Sequence, residues 1–228
     1  MAPSLAYNGT ERSETPRVAV AKRKTELGRS HAERRREAEA RILEAAFGIV
    51  AERGVDQLTL AEAGEAAGYS RALAAHYFGN REALLGAVAE YAVETYSERL
   101  SSKDVPRTGG LETVLSLIAF FIDDSRSWPK RLKAFYEVTN AALRWPSIAA
   151  VVARLNQASI GHYAGLIRTA QAQGEIRADL DPVAESVLIA ASLRGIMGQW
   201  LTAPDSIDLD AVRDAYLAGL RRSWGPGR

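Results

Sequence analysis

The residues best suited to chemistry lie between Thr59 and Arg81. Thr59 and Ser70 are hydroxyl residues placed where two short helices would begin, and the free amides and dipole of such a terminus favour a phosphate group. Arg71 is long enough to reach a guanine edge or a phosphate. Tyr77 and Arg81 can donate hydrogen bonds to phosphates. This combination of residue types predicts contact with a nucleic acid.

Small residues fill much of the second short helix. Alanine side chains can contact the methyl group of thymine in the major groove. The candidates for such contacts are Ala72 with Ala74 or Ala75.

Two short helices separated by a glycine-containing turn must position these side chains. Thr59-Leu60-Ala61-Glu62 is a capping-box pattern, so the first short helix begins at Thr59. It ends near Ala67, because Gly68 supplies the positive φ of a tight turn. Ser70 then caps the second helix. In a helix-turn-helix the first helix crosses the phosphate backbone and the second enters the major groove, although the same arrangement also occurs as a plain structural corner.

The rest of the chain also shows helical periodicity and no convincing strand. We therefore predict an all-α fold of nine helices, three small and six larger. The first helix is expected from Arg34 until Gly54, and a long fourth helix is expected to continue to about Ser101. The segment Leu111–Asp123 is apolar nearly all round and should form a central, buried helix.

The predicted organisation has three parts. Residues 1–32 form a flexible basic arm, because they mix Pro, Gly, Ser and charges without sustained periodicity. Residues 33–80 form the helix-turn-helix domain. Residues 81–228 form a helical ligand-binding and dimerisation domain.

Charge is distributed unevenly along the 228 residues. The formal net charge is only +1, yet residues 1–36 hold nine basic and four acidic residues. Residues 34–81 are neutral, with seven of each sign. We therefore expect the arm to supply a large share of the salt-dependent affinity for DNA, as minor-groove arms do in homeodomains.

Several stretches of this region resemble the DNA-binding domain of tetracycline-repressor (TetR) family regulators. They are Arg41-Ile42-Leu43-Glu44-Ala45-Ala46, Gly54, Thr59-Leu60-Ala61-Glu62, Ala66-Ala67-Gly68-Tyr69-Ser70, Tyr77-Phe78 and Arg81-Glu82-Ala83-Leu84-Leu85. A weaker likeness to C-terminal domains of the same family covers Gly174–Pro182, the apolar helix after it, and Gln199-Trp200-Leu201.

The resemblance implies three N-terminal helices, a connecting fourth helix, and a ligand-sensing domain that dimerises through its last two helices. It implies phosphate contacts for Thr59, Tyr77 and Arg81, and base readout for Arg71, Ala72 and their neighbours. It further implies a repressor that a small-molecule effector releases from a pseudo-palindromic operator. The full set of predicted DNA contacts is Thr59, Ser70, Arg71, Ala72, Ala74, Ala75, His76, Tyr77 and Arg81.

Two positions depart from the family pattern. Ala75 stands where the family usually has a Tyr that touches the DNA backbone, and we expect His76 and the basic arm to compensate. Ala63-Gly64 replace a usual Ile/Leu-Ala pair. Gly64 is expected to cost roughly 0.5–1 kcal/mol of helix propensity relative to Ala.

Catalytic and metal chemistry find little support in the sequence. Gly68-Tyr69-Ser70-Arg71-Ala72 is superficially like a nucleophile elbow, but it lacks the second glycine and the preceding strand. The three histidines, His31, His76 and His162, lie far apart without a carboxylate cluster, so no metal site is expected. Cysteine is absent, which excludes disulfides and thiolate nucleophiles. We expect no cofactor and no enzymatic activity.

Aromatic and polar side chains on the later helices have two interpretations. Aromatic stripes at helical spacing are usually core, but pockets between helices are also mostly apolar with a few polar groups. The candidate pocket residues are Tyr96, Phe120, Phe121, Trp128, Tyr136, Asn140, Trp145, His162, Tyr163, Met197 and Trp200. Such a lining would favour an apolar or aromatic effector.

A stripe of small residues on one of the last helices permits the close approach of another helix, either within the chain or across a homodimer. Apolar residues of the final helix are expected to lie beside it. The predicted dimerisation set is Ala191, Gly195, Gly198, Leu209, Val212, Tyr216 and Leu220.

Neither a membrane span nor a secretory signal is expected. The longest apolar run, Val114–Ile122, is about half the ~20 residues that a bilayer requires. The predicted function is therefore that of a cytoplasmic, homodimeric, ligand-responsive transcriptional regulator that binds double-stranded operator DNA. The alternative is an α-helical enzyme or small-molecule-binding protein without a DNA role.

Overall fold

A computed structural model of the chain describes residues 30–101 and 110–225, with the backbone alone for 96–101. Regular structure in these ranges consists of nine α-helices and one short 3-10 turn, Val55–Gln57, with no strand. The helices are α1 His31–Arg53, α2 Leu60–Ala66, α3 Arg71–Phe78, α4 Arg81–Ser101, α5 Leu111–Ser125, α6 Pro129–Ala141, α7 Pro146–Ala172, α8 Pro182–Thr202 and α9 Leu209–Trp224. The predicted all-α fold is confirmed.

The first helix begins earlier than its apolar periodicity predicted. The Ser30 hydroxyl accepts a hydrogen bond from the amide of Glu33 at 3.2 Å, and the Glu33 carboxylate accepts one from the amide of Ser30 at 2.6 Å. This reciprocal capping box starts α1 at His31, three residues before the predicted Arg34. Residues 1–29 of the predicted arm lie outside the described part of the chain.

The chain separates into two units, Met1–Glu39 and Ala40–Arg228. The described part of the first unit is Ser30 and the beginning of α1. The second unit holds the remainder of α1 and all later helices. The domain boundary predicted between residues 80 and 81 lies inside the second unit and stays a prediction.

A first hydrophobic core is formed by helices α1, α2, α3 and α4 together with α6 and α7. Its fully buried side chains include Ile42, Leu58, Leu84, Val138 and Ile148. The two short helices α2 and α3 therefore share one core with the later helices α6 and α7. Because close-packed interiors transmit strain, a shift in α6 or α7 is expected to displace the residues of α1 and α4 that pack against the short helices.

A second core lies among α5, α7, α8 and α9, where Ile118, Ile167, Ile189 and Trp224 are fully buried. Helix α5 was predicted to be central, and every residue between Thr113 and Ser125 is at least half-buried. No helix of the described ranges is both long and apolar enough to cross a membrane.

Candidate nucleic-acid interface and cavity

Thr59 caps α2 as its sequence pattern predicted. Its hydroxyl oxygen accepts a hydrogen bond from the amide of Glu62 at 3.1 Å and donates one to the Glu62 carboxylate at 2.9 Å. Arg53, the last residue of α1, donates to the same carboxylate at 2.9 Å. The hydrogen bond from Thr59, together with the hydrogen bond and the positive charge of Arg53, lowers the pKa of Glu62. The start of α2 is thereby tied to the end of α1.

The turn between α2 and α3 is tight. Gly68 has a φ of +79°, a conformation that favours glycine, and the amide of Tyr69 donates to the carbonyl of Gly64 at 2.8 Å. The guanidinium of Arg41 stacks on the Tyr69 ring at 5.3 Å from its centre. Ser70 then caps α3 by accepting from the amide of Leu73 at 3.2 Å. This arrangement of two capped helices is a helix-turn-helix.

One face of α3 is open to solvent. Arg71, Ala72 and His76 are exposed and Ala75 is half-buried beside them. Successive residues of a helix are rotated by about 100°, so these four side chains share one face. Tyr77 is half-buried, lies against the first core, and has its ring centre 5.4 Å from that of His76.

Ala74 is a correction to the predicted set. Its side chain is fully buried in the first core, where it faces Gly64, and therefore cannot reach a thymine methyl. Of the two alternatives left open in the sequence, only Ala75 is partly exposed, and its contact with DNA stays a prediction.

Arg81 has a structural environment that its sequence position did not predict. Its guanidinium donates to the backbone carbonyls of Leu58, Val55 and Asp56 at 2.7, 2.8 and 3.1 Å. It also lies over the ring of Trp145, 4.8 Å from the centre.

A largely apolar cavity with five aromatic side chains lies between α1, α4, α5 and α6. Its space, including the part that is open to solvent, is about 610 Å³. The side chains around it are Phe47, Ala92, Thr95, Phe120, Phe121, Asp124, Ser125, Trp128, Arg131, Leu132 and Phe135. Asp124 and Arg131 are the charged members of this lining, and the guanidinium of Arg131 lies 5.3 Å from the centre of the Trp128 ring.

Of the predicted pocket residues, Phe120, Phe121 and Trp128 line this cavity. Tyr96 lies on α4, but its side chain is outside the described residues. The remaining predicted residues lie elsewhere: Tyr136, Asn140, Trp145, His162, Tyr163, Met197 and Trp200.

The predicted pocket residues that lie away from the cavity have different environments. Met197 is fully buried in the second core, and Tyr163 and Trp200 pack against it. The Tyr136 hydroxyl donates to the carbonyl of Arg194. Trp145 packs against the first core. Asn140 and His162 are exposed to solvent.

The predicted dimerisation residues also divide. Leu209 and Leu220 are buried in the second core of their own chain, and Gly198 faces the Tyr136 ring, so these three are corrections. Val212 and Tyr216 are half-buried on α9. Ala191 and Gly195 are exposed on α8, on the same side as Val187 and close to the exposed Leu188. Val183 extends this apolar surface toward the start of α8.

Comparison with known proteins identifies both halves of the chain. Residues 42–88 match the family described as bacterial regulatory proteins of the tetR family. Residues 111–225, half of the chain, match the C-terminal domain of BetI-type transcriptional repressors. The chain belongs to the TetR family.

Individual TetR relatives cover most of the chain. ArpR of Pseudomonas putida, named as a probable HTH-type transcriptional regulator, is 26% identical over an alignment of 186 positions that covers 78% of this chain and 86% of ArpR. A TetR-family regulator structure from Rhodococcus sp. is 25% identical and superposes with a TM-score of 0.70 over 83% of this chain and 99% of its own.

A third relative shares the fold. It is a transcriptional regulator from Saccharomonospora viridis solved in complex with choline, which is 21% identical with a TM-score of 0.72 over 84% of this chain and 99% of its own. TetR proteins are ligand-responsive transcriptional repressors that bind operator DNA, dimerise and bind small-molecule effectors. The predicted family and regulatory function are confirmed.

The TetR chain also contains cavity residues that the sequence did not single out. Phe47 was assigned only to a helix, and Ala92 and Thr95 are small residues whose types carry no binding signal. A usable signal was the repeat of Trp128, Arg131 and Phe135 at spacings of three and four, which places the N-cap residue of α6 and two residues of the helix on the same side.

Proposed function

We propose that this TetR protein binds a pseudo-palindromic operator as a homodimer and is released when an apolar or aromatic effector enters the cavity. The observation that supports this most directly is the cavity itself. It is lined both by Phe47 of α1 and by Ala92 and Thr95 of α4, so its occupant touches the helices that hold the helix-turn-helix.

Helix α3 is proposed to read the operator. Arg71 reaches base edges or phosphates in the major groove, and Ala72 and Ala75 meet thymine methyls beside His76. Thr59, Ser70 and Tyr77 contact phosphates and set the register of the protein on the duplex. Residues 1–32 add basic charge and with it salt-dependent affinity.

The exposed apolar face of α8 is proposed to form the homodimer interface together with α9. Large exposed apolar patches are uncommon on monomeric proteins, and Val183, Val187 and Leu188 form such a patch beside Ala191 and Gly195. A pseudo-palindromic operator requires the dimer to hold its two recognition helices about 34–36 Å apart or slightly more, because the two half-sites lie about one DNA turn apart.

The effector is proposed to act by differential binding. An occupant that fits the cavity better in one conformation shifts the dimer toward that conformation and changes the separation of the two α3 helices. The aromatic lining favours an apolar or aromatic effector. We place the protein in the cytoplasm and assign it no enzymatic activity.

A mobility-shift titration tests this function. DNA from immediately upstream of the protein's own gene is titrated at two salt concentrations with excess random-sequence competitor. Arg71→Ala together with Tyr77→Ala is expected to abolish the specific shift while the circular dichroism spectrum is retained. Arg168→Ala, an exposed arginine of α7, is the matched control and is expected to shift DNA normally.

Two results would contradict the proposal. Specific binding that survives the double substitution would remove α3 from the interface. Failure of the wild-type protein to bind any duplex would favour an α-helical protein that binds small molecules without a DNA role.

A further inference from the structure

Arg81 occupies a position where three backbone acceptors converge. The carbonyls of Val55, Asp56 and Leu58 belong to the turn that joins α1 to the helix-turn-helix, and all three accept from its guanidinium. Val55 and Leu58 are almost completely buried. Buried carbonyls need donors, and an arginine at the start of α4 supplies them from 23 to 26 residues further along the chain.

One face of this guanidinium is covered by an indole ring from the corner between α6 and α7. Trp145, which lies between α6 and α7, places its ring 4.8 Å from the guanidinium carbon. The neighbouring Arg144 forms an ion pair with Asp56 at 3.2 Å. The corner between α6 and α7 therefore meets the turn that precedes α2 at two adjacent points.

The same corner is connected to the cavity through a single helix. Arg131, Leu132 and Phe135 line the cavity from the first half of α6, and α6 ends at Ala141. The amide of Trp145 donates to the Ala141 carbonyl at 2.9 Å. A displacement of α6 by an occupant of the cavity consequently moves Trp145.

We propose that Arg81 is a positioning residue, not a phosphate contact, and that its clasp between the Val55–Leu58 turn and Trp145 transmits the state of the cavity to the helix-turn-helix. The planar fork of arginine suits this task, because it bonds several carbonyls in one plane while its face stacks on an indole. A lysine in its place keeps the charge but loses the fork and the flat face. The inference rests on the operator binding proposed above.

The first test separates the clasp from a phosphate contact. The probe is a duplex selected from a random pool by the wild-type protein, and its affinity is measured over a range of salt concentrations. Arg81→Lys is expected to weaken binding about tenfold, because the ammonium cannot replace the forked hydrogen bonds. Arg168→Lys, on the exposed face of α7, is the matched control and should bind as the wild type does.

A residue that binds phosphate would behave differently. Arg81→Lys would then bind with nearly wild-type affinity. Arg81→Met would reduce the steepness of the plot of log affinity against log salt concentration by about 0.9 for each phosphate that the variant no longer neutralises. Either result overturns the clasp while leaving operator binding intact. A wild-type protein that selects no duplex contradicts the proposed function instead.

The second test asks whether Arg81 and Trp145 act together. Trp145→Leu carries no charge change and is expected to weaken binding by a similar factor. The double variant should lose much less operator affinity than the product of the two single-variant factors, because both substitutions break the same interaction. Trp145→Phe retains an aromatic face and serves if the leucine variant does not fold. Independent, multiplicative losses would overturn the proposal.

The third test distinguishes positioning from a merely structural role. Thr95→Phe places a ring in the cavity and is expected to weaken operator binding about fivefold, at the low end of usual allosteric coupling, whereas Thr95→Ala is the control that adds no bulk. In the Arg81→Lys background Thr95→Phe should have almost no further effect. An undiminished effect there, or no effect in the wild-type background, would overturn the clasp as a transmitter.

Discussion

Gly64 of α2 lies directly against the backbone of Ser70, at the start of α3. A Cβ atom on Gly64 would be 2.9 Å from the carbonyl oxygen of Ser70, closer than side-chain carbons normally approach such an atom. It would also be 3.3 Å from the Cβ of Ala74. The glycine that weakens α2 by helix propensity is thus the residue that lets the two short helices pack closely.

This close approach reverses the expected sign of a helix-stabilising substitution. Gly64→Ala is expected to lower the free energy of unfolding by about 1–3 kcal/mol, because the added methyl group displaces backbone atoms. Gly86→Ala is the matched control, since nothing lies within 4 Å of its hypothetical Cβ in α4. It should raise stability by about 0.5–1 kcal/mol. Urea unfolding followed by circular dichroism at one protein concentration measures both, and a more stable Gly64→Ala protein would contradict the packing argument.

The dimer interface is tested on two exposed leucines. Leu188→Asp is expected to convert the dimer to a monomer, because it buries a charge in the apolar surface of α8. Leu143→Asp is the control, since Leu143 is more exposed, at 89% against 57% for Leu188, but lies in the turn between α6 and α7 and not on α8. Sedimentation velocity at matched concentrations measures the change. A dimeric Leu188→Asp protein would move the interface away from this face of α8.

The cavity is tested by the fluorescence of Trp128. This side chain lines the cavity yet is 43% exposed, so an aromatic occupant should shield it from water and shift its emission to shorter wavelength. A panel of uncharged one-ring and two-ring aromatic compounds is titrated and the emission recorded. Trp128→Phe should lose the shift, and Trp200→Phe, which alters a side chain packed on the second core, should keep it. A shift that survives Trp128→Phe would place the occupant elsewhere.

Half-buried tyrosines in the second unit predict a loss of stability at high pH. Burial raises the pKa of Tyr136 from its ordinary value near 10 to about 12, and burial also raises those of Tyr163 and Tyr216. Their contribution is fully present below pH 10, because the phenols are then protonated in both states. Above pH 10 the unfolded chain loses these protons first, so the free energy of unfolding should fall between pH 10 and pH 12.

Urea unfolding at pH 8, 10, 11 and 12 measures this fall. Tyr136→Phe removes the hydrogen bond to the Arg194 carbonyl and should be less stable at pH 8, but its stability should then decline less steeply. An equally steep decline in this variant would show that Tyr136 ionises alike in the folded and unfolded chain.

Local signals were sufficient for the outline of the helix-turn-helix. The hydroxyls of Thr59 and Ser70 accept from amides three residues away, and Gly68 supplies the positive φ of the turn at its own position. These effects could therefore be predicted from neighbouring residues. The capping box of Ser30 and Glu33 is also a local signal, but the helix start was predicted at Arg34 because no apolar periodicity precedes that residue.

The cavity could be predicted only in part, for a physical reason. Phe120 and Phe121 were candidates because aromatic side chains line both cores and cavities. A cavity also needs small side chains that leave space unfilled. Ala92 and Thr95 do this, but residues of their type follow no distinctive pattern in the sequence. The same residue types therefore brought Tyr163 and Trp200 into the candidate set, and the apolar Met197 with them, although all three pack in or on the second core.

The sequence by itself determined the helical fold, the caps and turn of the helix-turn-helix, and the family to which the chain belongs. These properties depend on periodicity and on interactions between residues close together along the chain. Tertiary structure alone decided that Ala74 faces inward, that Leu209 and Leu220 belong to the core, and that Arg81 meets three carbonyls and an indole. Burial and long-range hydrogen bonds depend on partners tens of residues away, and no local pattern specifies which of them will meet.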